Sequence, residues 1–192
     1  KNPLGVVQAF QMAFATDSSV CLVLKLSNLE HQPGLAEKIR SAAKQDSRIH
    51  LIDGYLQRNQ LSNLLNACNC YVSLHRAEGF GLPIAEAMFL GKPVIATYWS
   101  GNTDYMNEHN SLPVDFNLVE LQEDIGPYAK GQQWAEPNLL QAAEMMQTIA
   151  SDRQLSERIG TAAAATIRQL YSPAVIATQL GKRLQQISAL MP

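Results

Sequence analysis

Two carboxylates, Glu78 and Glu86, stand with seven residues between them in the stretch Glu78-Gly-Phe-Gly-Leu-Pro-Ile-Ala-Glu86. Gly79 and Gly81 let the backbone come close to a ligand, because no Cβ stands in the way. Pro83 suits the first turn of a helix, where a missing N–H costs nothing. Free N–H groups near Leu82 to Ala85, with the positive end of the helix dipole, favour an anion such as a phosphate. Two carboxylates beside an anion site are out of place if the ligand is phosphate alone. They fit a ligand that also carries hydroxyls, since a carboxylate accepts hydrogen bonds from neighbouring hydroxyls. Phosphate together with sugar hydroxyls points to a sugar nucleotide or a sugar phosphate.

Strand and helix signals alternate around this junction. Asn2 caps a helix that Pro3 opens, with Leu4, Val7, Phe10 and Phe14 on one face. Ser19 to Leu26 is a short apolar run, hence a buried strand. Residues 33–46 read as a helix with Leu35, Ile39 and Ala42 inward, and residues 48–52 as a strand. Residues 59–67 form a short helix carrying Leu61, Leu64 and Leu65, and Cys70 to Leu74 a third strand. The helix from Pro83 stops at Gly91, Pro93 to Thr97 is a fourth strand, and a short helix near 101–107 precedes an edge strand near 111–115. Such alternation predicts α/β architecture, a parallel sheet covered by helices on both faces. In such sheets ligands sit at the carboxyl ends of the strands. Residues 117–136 read as irregular, broken by Gly126, Pro127 and Gly131 with Pro137 beyond. Residues 138–189 read as two or three helices.

Composition narrows the function classes. The chain has 192 residues, 15 Lys and Arg against 17 Asp and Glu, and a net charge of -2. That balance offers no footprint for a polyanion, which argues against nucleic-acid binding. Three cysteines, Cys21, Cys68 and Cys70, cannot all pair within one chain and suggest a reducing compartment, hence the cytoplasm. None stands at zinc-ligand spacing, and His31, His50 and His109 are scattered, so no metal is expected. No apolar run reaches the length of a membrane span. His75 at a strand end reads equally as a satisfied structural histidine or as a ligand contact. Arg76 reads as a surface charge, and Trp99 and Trp134 as packing residues.

The junction also resembles a known family. Glu78 to Glu86 matches the E-x7-E signature of retaining glycosyltransferases of the GT-B fold, group 1 or GT4 class. His75, Ala87, Met88, Gly91, Lys92 and Pro93 match on either side, as do the opening KNPLGVVQAF and the segment Gly131-Gln-Gln-Trp134-Ala-Glu136-Pro137. The resemblance implies one half of a GT-B fold, the C-terminal, donor-nucleotide-binding domain. It is a Rossmann-like core over about 1–136 with a helical tail over about 137–192. It implies that Glu78 and Lys1 act at the reacting bond, Glu78 holding a donor-sugar hydroxyl and Lys1 the diphosphate. The amides of Gly79, Phe80, Gly81 and Leu82 would contact sugar and diphosphate, and Glu86 the ribose hydroxyls. Lys1 also reads as a frayed chain end. Lys25 stands where relatives carry Gly, and is either a snorkelling strand end or a second positive charge. Ser100, Gly101 and Asn102 either cap a helix or line the donor pocket.

From the same resemblance follow a UDP- or GDP-sugar donor, no metal, and retention of configuration by front-face attack. The glycan, lipid or protein acceptor would enter through an N-terminal domain absent from this chain. The chain is accordingly expected to be part of something longer, inactive alone, with the whole enzyme cytoplasmic or on the cytoplasmic membrane face. The sheet should show a gap, a substituted strand or a partner's strand between residues 20–25 and 70–74. Ile176, Leu180, Leu184 and Ile187 should expose an apolar face and, with open strand edges, drive dimerisation. The alternatives are a non-catalytic sugar-nucleotide or glycan-binding subunit and a GT-B-like epimerase.

Overall fold

A computed structural model describes residues 1–126 and 128–190. Pro127, read above as a breaker, lies outside the described residues. The chain runs α1 (Pro3–Ala13), β1 (Leu22–Leu26), α2 (Pro33–Gln45), β2 (Ile49–Asp53), α3 (Arg58–Ala67), β3 (Tyr71–Ser73), α4 (Leu82–Phe89), β4 (Val94–Thr97) and β5 (Leu112–Val114). It continues through β6 (Phe116–Glu120), β7 (Gln133–Pro137), α5 (Leu139–Ser151), α6 (Arg153–Tyr171) and α7 (Pro173–Ser188). The helix starts follow local chemistry. Asn2 accepts a bond from the Gly5 amide at 3.2 Å, and Pro3, Pro33, Pro83 and Pro173 open their helices without losing a donor. Gly91, at φ 73°, ends α4.

The parallel strands form two sets. β1 pairs with β2, β3 with β4 and β4 with β5, all parallel, while no ladder joins β1 to β3 among the described residues. The expected gap is therefore present. Within β4 every residue is buried and the side chains alternate. Ile95 packs in a core with α1, α2, β1 and α5, whereas Val94 and Ala96 pack in a second core with α4 and α6. This strand is thus covered by helices on both faces, as a doubly wound sheet requires. At Gly160 of α6 an added Cβ would lie 2.1 Å from the Gly91 carbonyl oxygen, so α6 crosses directly behind the end of α4.

One reading needs correction. Residues 117–136 are not irregular: β6 and β7 form an antiparallel hairpin with Phe116 opposite Pro137 and Glu120 opposite Gln133. The glycines read as breakers lie in the connection, Gly126 at φ 58° and Gly131 at φ 85°, and Pro137 closes the last strand. The short helix near 101–107 is a 3-10 turn over Gly101–Asp104. In α7 no residue is buried, and Leu180, Leu184 and Ile187 are exposed on it. Among the described residues no helix is long and apolar enough to cross a membrane, and no group of His, Cys, Asp and Glu could hold a metal ion.

Candidate functional site

The segment from His75 to Leu82 leaves the carboxyl end of β3 and runs into α4. Its carbonyls are turned inward. The Arg76 carbonyl accepts from the Ala135 amide at 3.0 Å, and the Glu78 carbonyl from the Ser100 hydroxyl. The Tyr105 hydroxyl lies within bonding distance of two more carbonyls, 2.8 Å from Phe80 and 3.0 Å from Gly81. The amides of Gly79, Phe80, Gly81 and Leu82 donate to nothing among the described residues. Tying the acceptors inward leaves the donors for a ligand. Ala85 differs from its reading: its N–H is spent on the Gly81 carbonyl at 3.0 Å.

Two glycines make this arrangement possible. Gly81 caps α4 at φ 83°, and a Cβ there would lie 2.6 Å from the Tyr105 hydroxyl. Gly101 packs on the loop itself, where a Cβ would lie 1.8 Å from the Gly79 carbonyl oxygen. Beside it Ser100 sits at φ 76°, a conformation that costs a residue with a side chain about 1–3 kcal/mol. That strain carries the hydroxyl to the Glu78 carbonyl, so Ser100 does not cap the turn that follows. Asn102 is fully buried and donates to the Thr97 carbonyl at 2.9 Å, beneath the loop rather than on its surface.

Lys1 and Glu78 form an ion pair. The start of α1 therefore lies against the loop before α4, and two helix N-termini face one carboxylate-ammonium pair. Glu78 is mostly buried, its side chain 13 % exposed. Partial burial pushes the Lys1 ammonium below its ordinary value. The ammonium has three donors, so the pair leaves it donors for an anion. Glu86 is exposed on α4 and has no ion pair among the described residues. Its charge, after burial, helps push the Tyr71 phenol up to about 12.

His75 is 1 % exposed, with Nδ1 3.1 Å from the Ser73 hydroxyl and Nε2 3.1 Å from the Trp99 carbonyl. A carbonyl only accepts, so Nε2 carries the proton and Nδ1 accepts from Ser73. Burial pushes this imidazole below its ordinary value and keeps it neutral at pH 7. Of the two readings of His75, the geometry is that of a satisfied structural histidine. Lys25 donates to the Leu26 carbonyl at 3.1 Å, and no bond ties it to Lys1, Glu78 or Glu86 among the described residues.

The sequence did not announce the supports. Phe80 packs on Tyr105 and on Tyr171 at the end of α6, with ring centroids 5.2 Å apart in each case. Arg76, read as a surface charge, is held in a fork by Glu136, Nε to Oε2 at 2.6 Å and Nη2 to Oε1 at 2.8 Å. Its guanidinium lies 4.7 Å from the centre of the Trp134 ring. The only hint was the segment Gly131 to Pro137, whose partner no local spacing reveals.

A family model described as glycosyl transferases group 1 matches residues 35–165. No curated protein matches the chain in sequence. Among solved structures, HepE of Anabaena in complex with UDP and glucose superposes with a TM-score of 0.74 at 19 % identity, over 97 % of this chain and 45 % of that one. Sucrose-phosphate synthase of Thermosynechococcus elongatus gives 0.71 at 21 %, over 97 % and 42 %. The C-terminal domain of a glycosyl transferase group 1 family protein, LpcC of Francisella tularensis, gives 0.68 at 20 %, over 90 % and 80 %. These identities establish likeness of fold, and the chain spans less than half the length of HepE.

Proposed function

This chain belongs to the group 1 glycosyl transferases, and we propose that it is the donor-binding half of an enzyme that moves a sugar from a nucleoside-diphosphate sugar to an acceptor hydroxyl. The observation that carries the reading is the loop from Gly79 to Leu82, whose Phe80 and Gly81 carbonyls are tied inward and whose amides are unspent at the start of α4, beside the Lys1–Glu78 pair. The amides and the helix dipole suit a diphosphate. Lys1 offsets the charge that grows on that diphosphate as the sugar leaves, which replaces a divalent metal. Glu78 accepts from a sugar hydroxyl, and exposed Glu86 from the ribose.

In this reading the acceptor hydroxyl attacks from the face that the diphosphate leaves, configuration is retained, and the departing phosphate oxygen takes the proton. No protein carboxylate bonds to the sugar, so the chemistry rests on positioning and charge. The Rossmann-like core runs to about residue 136 with the helical tail beyond, and the acceptor is bound by a further domain. The cytoplasm is the compartment proposed, on three free thiols. Uridine nucleotides are the first to try, because HepE binds UDP and UDP-glucose; guanosine nucleotides are the second.

The test is calorimetric titration with UDP, GDP and ADP in EDTA, on the full-length protein, with Glu86→Ala in parallel. One nucleotide should bind without metal and bind several-fold more weakly to the variant. No binding to a protein shown to be folded would refute the reading.

A further inference from the structure

The hairpin β6–β7 has no place in the reading above, yet it makes three contacts with the segment that presents Glu78. Ala135, fully buried, donates its amide to the Arg76 carbonyl at 3.0 Å. Glu136 holds the Arg76 guanidinium through two bonds while Trp134 lies against the same guanidinium. Phe116, paired with Pro137 beside Glu136, packs on Trp99 with ring centroids 5.0 Å apart, and the Trp99 carbonyl accepts from the His75 Nε2–H. Main chain and side chain of Arg76 are thus both fixed, two residues before Glu78.

Such a fork is more than a surface ion pair. A bidentate Arg–carboxylate contact fixes direction as well as distance, and a ring against the guanidinium removes its freedom to swing. We propose that Arg76 and Glu136 are positioning residues for the sugar half of the donor: they set the angle at which Glu78 meets the sugar hydroxyl and leave the nucleotide half to the α4 amides and Glu86. The inference rests on the donor-site reading.

The experiment uses two ligands that differ only by the sugar. UDP and UDP-glucose, with GDP and GDP-mannose as the second pair, are titrated into the full-length protein, its Glu136→Gln, Arg76→Lys and Glu78→Gln variants, and the Glu78→Gln/Glu136→Gln double variant. Glu136→Gln keeps the shape of the side chain, and a thermal melt checks that it folds. It should leave the nucleoside diphosphate within about twofold and weaken the nucleotide sugar about tenfold, the scale of one misplaced charged hydrogen bond. Arg76→Lys should do the same, since an ammonium cannot form the fork. The double variant should bind the nucleotide sugar no more weakly than Glu78→Gln alone, because both act through one carboxylate. Equal weakening of both ligands, no weakening, or additive effects in the double variant would overturn the proposal. If neither pair binds, or if Glu78→Gln itself spares the sugar, the donor-site reading falls and this one with it.

Discussion

The three glycines around the donor loop should respond differently to alanine. At Gly81 the backbone is left-handed, φ 83°, which costs an L side chain about 1–2 kcal/mol. The new methyl would also lie 2.6 Å from the Tyr105 hydroxyl, which bonds the Phe80 and Gly81 carbonyls. Displacing that buried hydroxyl adds about 1–3 kcal/mol. The sum for Gly81→Ala is about 2–5 kcal/mol, or a fall in Tm of roughly 4–20 °C for a chain of this size. Gly79 differs: its φ is not positive and a Cβ there meets nothing within 4 Å. Gly79→Ala should hold its Tm or gain slightly, because alanine restricts the unfolded chain by about 0.4–1 kcal/mol. The open space over Gly79 is where the ligand would lie, so the same methyl should weaken nucleotide-sugar binding about tenfold for one charged hydrogen bond pushed out of range. Gly101→Ala places a methyl 1.8 Å from the Gly79 carbonyl oxygen and should lose both stability and binding. Thermal melts with calorimetric titration read the two effects separately. Equal destabilisation by Gly79→Ala and Gly81→Ala would refute the orientation of the loop. Unaltered binding by Gly79→Ala would refute the ligand surface.

Two further outcomes follow from the structure. His75 is lowered from 6.5 chiefly by burial, with Lys1 acting in the same sense and the Trp99 carbonyl opposing. Below about pH 6.5 the unfolded chain binds the proton first, so stability should fall as pH drops from there through the lowered value; His75→Gln should flatten that slope in urea midpoints, and an unchanged slope would place it elsewhere. On α7, Leu180 and Leu184 are 59 % and 64 % exposed and the helix buries no residue. Leu180→Glu/Leu184→Glu should leave Tm unchanged and abolish any concentration-dependent association in sedimentation velocity, whereas persistent association would clear this face of that role.

What was legible depended on how local the signal is. Asn2-Pro3, Pro33 and Gly91 mark helix boundaries by their own backbone chemistry, and these boundaries stand where the sequence placed them within a residue or two. The hairpin was hidden because its first strand shows no inside and outside: Leu118 and Val119, neighbours in β6, are 46 % and 42 % exposed. Period-two alternation needs one buried face, and β6 has none to show. In the site the same division holds. Glu78 and Glu86 share one loop and helix, so their spacing is legible by itself. Tyr105 stands 25 residues from the Phe80 carbonyl it bonds, and Glu136 stands 60 from Arg76. No local pattern links such pairs, and only the fold brings them together.

The two partners of the Lys1–Glu78 pair stand on different sides of the sheet gap. β1 has a ladder only with β2, and β3 only with β4, so each keeps one edge of backbone donors and acceptors without a strand partner among the described residues. Of the two partners in the Lys1–Glu78 pair, Glu78 stands on the β3 side, held by Ser100, Tyr105 and the hairpin through its loop. Lys1 stands at the start of α1, whose Phe10 packs with β1, α2 and α5, and its own side chain is 61 % exposed. Glu78 is therefore held through its loop, and Lys1 by the start of a packed helix that Asn2 caps on Gly5. In the proposed reading, a buried acceptor of hydroxyls beside an exposed cation suits a site that must orient a sugar and also meet a diphosphate.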